Sequence, residues 1–244
     1  MFDITGKYRA SMFLNASDII PTPEIISSLL DIFKDKGLLP TTFQEIGSDS
    51  PAMQLRLRLN SPSNEWAINF ASRRIDIEKN PVEAAGKNMG DVDVFINDVI
   101  DFMARILKHF HKKGNRLSIV TSGLLREMRG KHLDSIYKKL FYPLPFYKEP
   151  LPFEWNHRSA TRKDIKIEGI DEKINVITSI NRVRGKFMKP DRLLPFDRIE
   201  IAFDINTLAE EGANRFSIHS MKEFLEHTLV IRNSIVKEIE GVIK

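Results

Sequence analysis

Asp76, Glu78 and Lys79 come nearest to a catalytic set, two carboxylates on one strand face followed by a lysine. Such a trio can hold a divalent metal and activate water in a nuclease. The usual spacing of an acidic residue upstream of a Glu-x-Lys is absent, so solvent-facing strand charges describe the trio better. His109 and His111 fall on different faces of a helix and cannot share a metal as an i, i+4 pair would. They suit a helix C-terminus, where positive charge is favourable. Glu200 and Asp204 share a strand side with Arg198 and read as a salt-bridged sheet face. Ser122-Gly123 lacks the flanking glycine of a nucleophile elbow, and the glycines form no phosphate-binding loop. The chain has no cysteine, which removes disulfides, thiol nucleophiles and thiolate metal sites together. The expectation is a protein that is not an enzyme, with no cofactor and no metal. A cryptic metal-dependent nuclease using Asp76, Glu78 and Lys79 is the remaining catalytic alternative.

Binding chemistry is better represented. Residues 101–200 hold 22 lysines and arginines against 12 acidic residues, whereas the rest holds 15 against 21. The formal net charge of +4 therefore hides a strongly basic block. Such a block suits phosphates or an acidic partner, or simply a solvated surface. Within it, Glu154, Asn156 and His157 are followed by Arg158, Arg162, Lys163 and Lys166. Arg182, Arg184, Lys186, Lys189 and Arg192 come next. If the two strands carrying them pair, these cations share one edge. Arginine forks fit phosphate and carboxylate. Phe146, Tyr147 and Phe153 lie close by and could stack on unpaired bases. The stretch FYPLPFYKEPLPFEW, residues 141–155, contains four prolines and six aromatics. It reads as a stiff, buried connector, with an exposed recognition loop as the alternative. The Trp155 indole N–H is expected to find a backbone acceptor.

The elements that must position these residues follow from periodicity. Leu55, Leu57 and Leu59 alternate with Gln54, Arg56 and Arg58. Trp66, Ile68 and Phe70, then Ile75 and Ile77, then Ile199, Ile201, Phe203 and Ile205 repeat the pattern. Period-two alternation means half-buried antiparallel strands. Further strands are predicted over 7–14, at RLSIVTS, and in the segments KDIKIEG and EKINVITSINRVRG. Pro21 and Pro23 open a helix that Gly37 stops. Val92, Phe95, Ile96, Val99, Met103, Ile106 and Phe110 form the apolar face of a long helix, capped by Asp91 and ended by Gly114. Residues 131–140 are helical, and a capping box of Ser220 and Glu223 starts the last helix. Residues 79–91 are a surface connection. The order predicts an α+β protein of two tandem β-α-β(n)-α halves, 1–113 and 114–244. Antiparallel sheets would carry long amphipathic helices on one side, resembling a TATA-binding-protein-like saddle.

With 244 residues, 42% hydrophobic and 29% charged, the chain can build a sizeable core. Its N-terminus lacks the pattern of a signal peptide, and no apolar run approaches a membrane span, so a cytoplasmic location without membrane contact is expected.

The segments EWAINFASRRIDI, RLSIV, FEWNHR, INVITSINR and IAFDINT, followed by an amphipathic helix, resemble a sporadically distributed bacterial family of uncharacterised proteins of similar length. The likeness covers most of the chain through short, largely structural motifs, and carries over no functional residue. Patchy distribution implies mobile-element, toxin–antitoxin or antiviral defence systems. The function expected is a non-catalytic macromolecule-binding module of such a system, acting through the basic, aromatic-interleaved second half. Arg158, Arg162, Lys163, Arg182, Arg184, Lys186, Tyr147 and Phe153 are its candidate contacts. The partner is nucleic acid or an acidic protein. The alternative is an antitoxin-like or assembly subunit working through protein–protein contacts, including a homo-oligomer.

Overall fold

Alternating apolar residues build the sheet, and 3.6-residue stripes build the helices that cover it. The computed structural model describes residues 2–46, 53–83, 86–188, 193–210 and 212–243. The strands are β1 (Phe2–Phe13), β2 (Leu39–Ile46), β3 (Met53–Asn60), β4 (Trp66–Ala71) and β5 (Arg74–Lys79), then β6 (Arg116–Leu125), β7 (Trp155–Ile167), β8 (Ile170–Met188) and β9 (Leu193–Thr207). They form one open antiparallel sheet in the order β2-β3-β4-β5-β1-β6-β9-β8-β7. The helices are α1 (Pro23–Ile32), α2 (Val92–Phe110), α3 (Gly130–Leu140) and α4 (Ile218–Ile243). The protein is therefore α+β. No helix among the described residues is long and apolar enough to cross a membrane.

All four helices pack on one face. The larger core joins α1, α2 and α4 to Tyr8, Ala10 and Met12 of β1, Leu57 and Leu59 of β3, and Ile75 and Ile77 of β5. The smaller core joins α3 and the end of α4 to Trp155, Ile180, Ile199, Ile201 and Phe203. Each fully buried Phe or Leu here contributes about 1.5–3 kcal/mol. Trp66 stacks on Phe95 at 5.8 Å and meets Phe102 edge-on at 5.1 Å, pinning α2 to β4.

Local signals act largely as their chemistry dictates, with several shifts. Thr22 caps α1 by accepting the Ile25 N–H, with Pro23 next in the chain. Asp91 occupies the N-cap position of α2 but makes no side-chain cap. His111, at φ 52°, ends that helix in place of Gly114. Gly114 instead bridges to Phe216, and a Cβ there would lie 2.5 Å from Met12 Cγ. The capping box of α4 starts three residues earlier than expected. Ser217 Oγ accepts from the Ser220 N–H, and Ser220 Oγ accepts from the Ser217 N–H. Glu223 instead accepts the Glu168 N–H at 2.6 Å. Glu168 and Gly169, both at positive φ, make the tight β7–β8 turn. The Glu168 carboxylate accepts from Ser217 Oγ and Ser220 Oγ, which fastens this turn to the start of α4.

Four expectations need correction. Strand β2 is absent from the periodicity reading, because Pro40 and the polar run Thr41-Thr42 interrupt its pattern. Leu55 is 53% exposed, at the end of β3 where Met53 and Gln54 are exposed too. The connection after β5 is partly packed: Met89 is buried, and Asn88 binds the Val82 N–H and the Asn80 carbonyl. Trp155 is buried against Phe141 and Tyr137, yet its indole nitrogen has no partner.

Candidate recognition surfaces

Strands β7 and β8 pair in register along their length, Trp155 with Arg182 and Ile167 with Ile170. The basic residues share this hairpin but not one surface. Alternation sends Arg158 and Arg162 to the helix-free face, and Lys163, Arg182, Arg184 and Lys186 to the helix-bearing side. Arg158, Arg162, Lys163 and Lys166 lie within β7, which begins already at Trp155, rather than crowding a strand start. Lys189 and Arg192 lie outside the described residues.

Arg182 is buried, donating twice to Asp197 at 2.9 Å and once to Asp134 at 3.3 Å. These bonds hold its pKa up. Arg184 stays exposed, donates to Asp197 at 2.9 Å and stacks over Phe153 at 5.3 Å. The Asp197 carboxyl is held below the usual aspartate range, first by the Arg182 bonds and then by Arg184.

The proline-aromatic stretch divides. Phe141 and Trp155 at its ends pack on the smaller core. Between them Tyr142 is 97% exposed, Phe146 80% and Phe153 63%, with Leu144 and Tyr147 also open. The segment is thus an exposed loop anchored at both ends, and not a buried connector. Every exposed Phe, Tyr or Trp among the described residues belongs to it. The structure gathers Phe153, Arg184 and Lys186 at this corner, with Tyr147 in the same loop, and leaves Arg158 and Arg162 on the other face.

The helix-free face carries a feature that no sequence motif announces. Cross-strand partners form one polar row from Thr41 on β2 to Arg162 on β7. Between them stand Arg58, Asn69, Asp76, Ser11, Ser118, Asn206 and Asn175, one from each intervening strand. The small central members lie beneath longer neighbours. Arg116 donates to Asn206 at 2.9 Å, and Arg74 to Asp76 at 2.9 Å. Arg74 and Arg116 also flank the Phe13 ring, at 5.9 and 4.8 Å. Lys7 pairs with Glu78, and Arg198 with Asp3. Arg162 stands 3.9 Å from Glu210. Arg9, Arg58, Arg116 and Arg158 have no carboxylate partner among the described residues, and Nε of Arg9 and of Arg58 is buried without any acceptor. Sequence reasoning missed Arg9, Arg58 and Arg116. The available signal was their alternation with Tyr8 and Ala10, with Leu57 and Leu59, and with Leu117, which turns them away from the core.

The acidic trio does not converge. Asp76 accepts from Ser11 and Arg74, and Glu78 from Lys7, all on the helix-free face. Lys79 lies on the helix side over Trp66 at 5.2 Å, next to Glu65. Arg198, Glu200 and Asp204 share a side as expected but do not pair with one another. Glu200 accepts from Asn181, and Asp204 from Asn206. Among the described residues, no three His, Asp or Glu side chains gather to hold a metal ion. Comparison with protein-family models, curated proteins and solved structures finds no match.

Proposed function

We propose that the protein is a non-catalytic binding module of a bacterial defence or conflict system, and that the 141–154 loop docks it onto an acidic protein partner. One observation carries this reading: Tyr142 and Phe146 stand 97% and 80% exposed beside a corner where Arg184 stacks on Phe153. Exposed aromatics next to arginine are the usual anchors of protein interfaces. Lys148 and Lys186, both exposed, offer cations to acidic groups at this corner, beside the exposed Glu149 and Glu154 of the loop. Prolines at 143, 145, 150 and 152 stiffen the loop and reduce the ordering cost of binding.

The tandem-halves reading belongs to the same proposal. On either side of the β1–β6 pair the order runs outward, β5-β4-β3-β2 one way and β9-β8-β7 the other. The long helices α2 and α4 lie against each other. This symmetry supports two halves, 1–113 and 114–244, joined in a saddle of the TATA-binding-protein kind.

The test is capture of a partner by the whole protein, with the contact mapped by crosslinking. The variant Tyr142→Ser/Phe146→Ser/Arg184→Gln should lose a partner that Arg158→Gln retains. A partner that crosslinks elsewhere, or that the loop variant keeps, refutes the reading. A second reading rests on Leu39, Ile46, Met53 and Leu55, which are exposed on the edge hairpin β2–β3. There a second copy could add a strand. A dimer mass abolished by Leu55→Lys would favour it.

A further inference from the structure

We propose that the helix-free face of the sheet is a separate binding site for the phosphate backbone of double-stranded nucleic acid. It shares no residue with the 141–154 loop corner.

Charge is the first argument. On this face Asp76, Glu78 and Asp3 already have cationic partners. Asp204 and Glu200 hold asparagine amides. Arg9, Arg58, Arg116 and Arg158 are left facing away from the helices without a carboxylate. Even allowing for Glu200 and Asp204, which lack cations too, these four guanidinium groups leave the uncovered sheet an excess of positive charge that suits an anion with repeated charges.

Geometry selects the kind of anion. Nine strands about 4.8 Å apart make the polar row roughly 38 Å long, close to one turn of duplex. Arg58 on β3 and Arg158 on β7 stand near its two ends, with Arg9 and Arg116 on the adjacent central strands β1 and β6. Single strands are held largely by stacking on aromatic platforms. Phe13, Phe43 and Phe196 on this face are only partly exposed, and the Phe13 ring is already flanked by Arg74 and Arg116. A duplex needs no platform, because its backbone positions the protein through arginines and small polar groups.

The experiment titrates the full chain against a labelled 20-base-pair DNA duplex and a labelled single strand of the same length, at 50 and 200 mM salt. The wild type should bind the duplex more tightly than the single strand. Its log K should fall against log salt with a slope of about 3–4, reporting roughly four phosphate contacts. Arg9→Gln/Arg58→Gln/Arg158→Gln should weaken duplex binding at least tenfold and flatten the slope, with an unchanged unfolding midpoint. Arg184→Gln/Lys186→Gln should bind as the wild type does. Four results would overturn the proposal. They are no duplex binding at 50 mM salt, tighter binding of the single strand, full binding by the folded triple variant, and equally tight binding of poly-glutamate.

Discussion

Arg182 lies directly across from Trp155 on the paired β7 and β8 strands, and its guanidinium is held by Asp197 and Asp134. A residue that reads in sequence as one more exposed cation is thus a structural tie between the sheet and α3. Arg182→Gln leaves Asp197 without its main partner in a partly dry corner. The expected cost is roughly 2 kcal/mol, below that of a fully buried pair because both aspartates keep some solvent. Arg184→Gln, at an exposed end of the same network, should cost less than about 0.5 kcal/mol. Urea unfolding of the two variants separates them, and equal losses would contradict the assignment.

The same network makes a pH prediction. Asp197 has its folded pKa depressed by Arg182 and Arg184, so its contribution is present above the ordinary aspartate value of about 3.9 and is lost as pH falls through the lower folded value. Asp197→Asn should therefore be less stable than the wild type at neutral pH and lose less on acidification. Stability measured from pH 7 to below pH 4 should show the two curves converging at the acid end. Parallel curves would mean that Asp197 is not the coupled group.

Strong periodicity made most of the sheet and α2 legible, because Leu57 and Leu59, Ile199 to Ile205, and the Val92–Phe110 stripe leave one choice of buried face. The candidate site was less legible for a specific reason. Neighbours such as Arg162 and Lys163 look alike as a cluster, but a strand turns successive side chains to opposite faces. The row across all nine strands depends on register between distant segments, such as Ser11 with Ser118 and Ser118 with Asn206. No linear pattern encodes such pairings. Proline and aromatic content in 141–155 was equally consistent with burial or display, and only the anchoring of Phe141 and Trp155 decides between them.

That anchoring gives a direct contrast between neighbouring residues. Phe141 meets Trp155 edge-on at 5.5 Å and stacks on Tyr137 at 4.8 Å, whereas Phe146 is almost wholly in solvent. Phe141→Ala should cost about 2–3 kcal/mol, somewhat less than a fully buried Phe because its ring is only partly covered. Phe146→Ala should change stability by less than about 0.5 kcal/mol. Denaturant midpoints of the pair decide the matter. A large loss at Phe146 would mean that the loop folds against the body in solution, and its role as a docking element would fail with it.

Gly86 offers the sharpest backbone test. It sits at φ +60°, and a Cβ built there would lie 2.2 Å from the Thr5 carbonyl oxygen, inside the irregular part of β1 between Thr5 and Tyr8. Two penalties coincide: an unfavourable φ for a side chain, and a clash with backbone that cannot rotate away. Gly86→Ala should therefore cost about 2–4 kcal/mol, well beyond a helix glycine substitution. Gly37, at φ +61° in the same left-handed region and with nothing within 4 Å of its added Cβ, serves as the control. Gly37→Ala carries the conformational penalty alone and should cost about 1 kcal/mol. If the two variants unfold at the same denaturant concentration, the turn through Gly86 does not press on β1, and the packing of Met89 beneath α2 must be secured in another way.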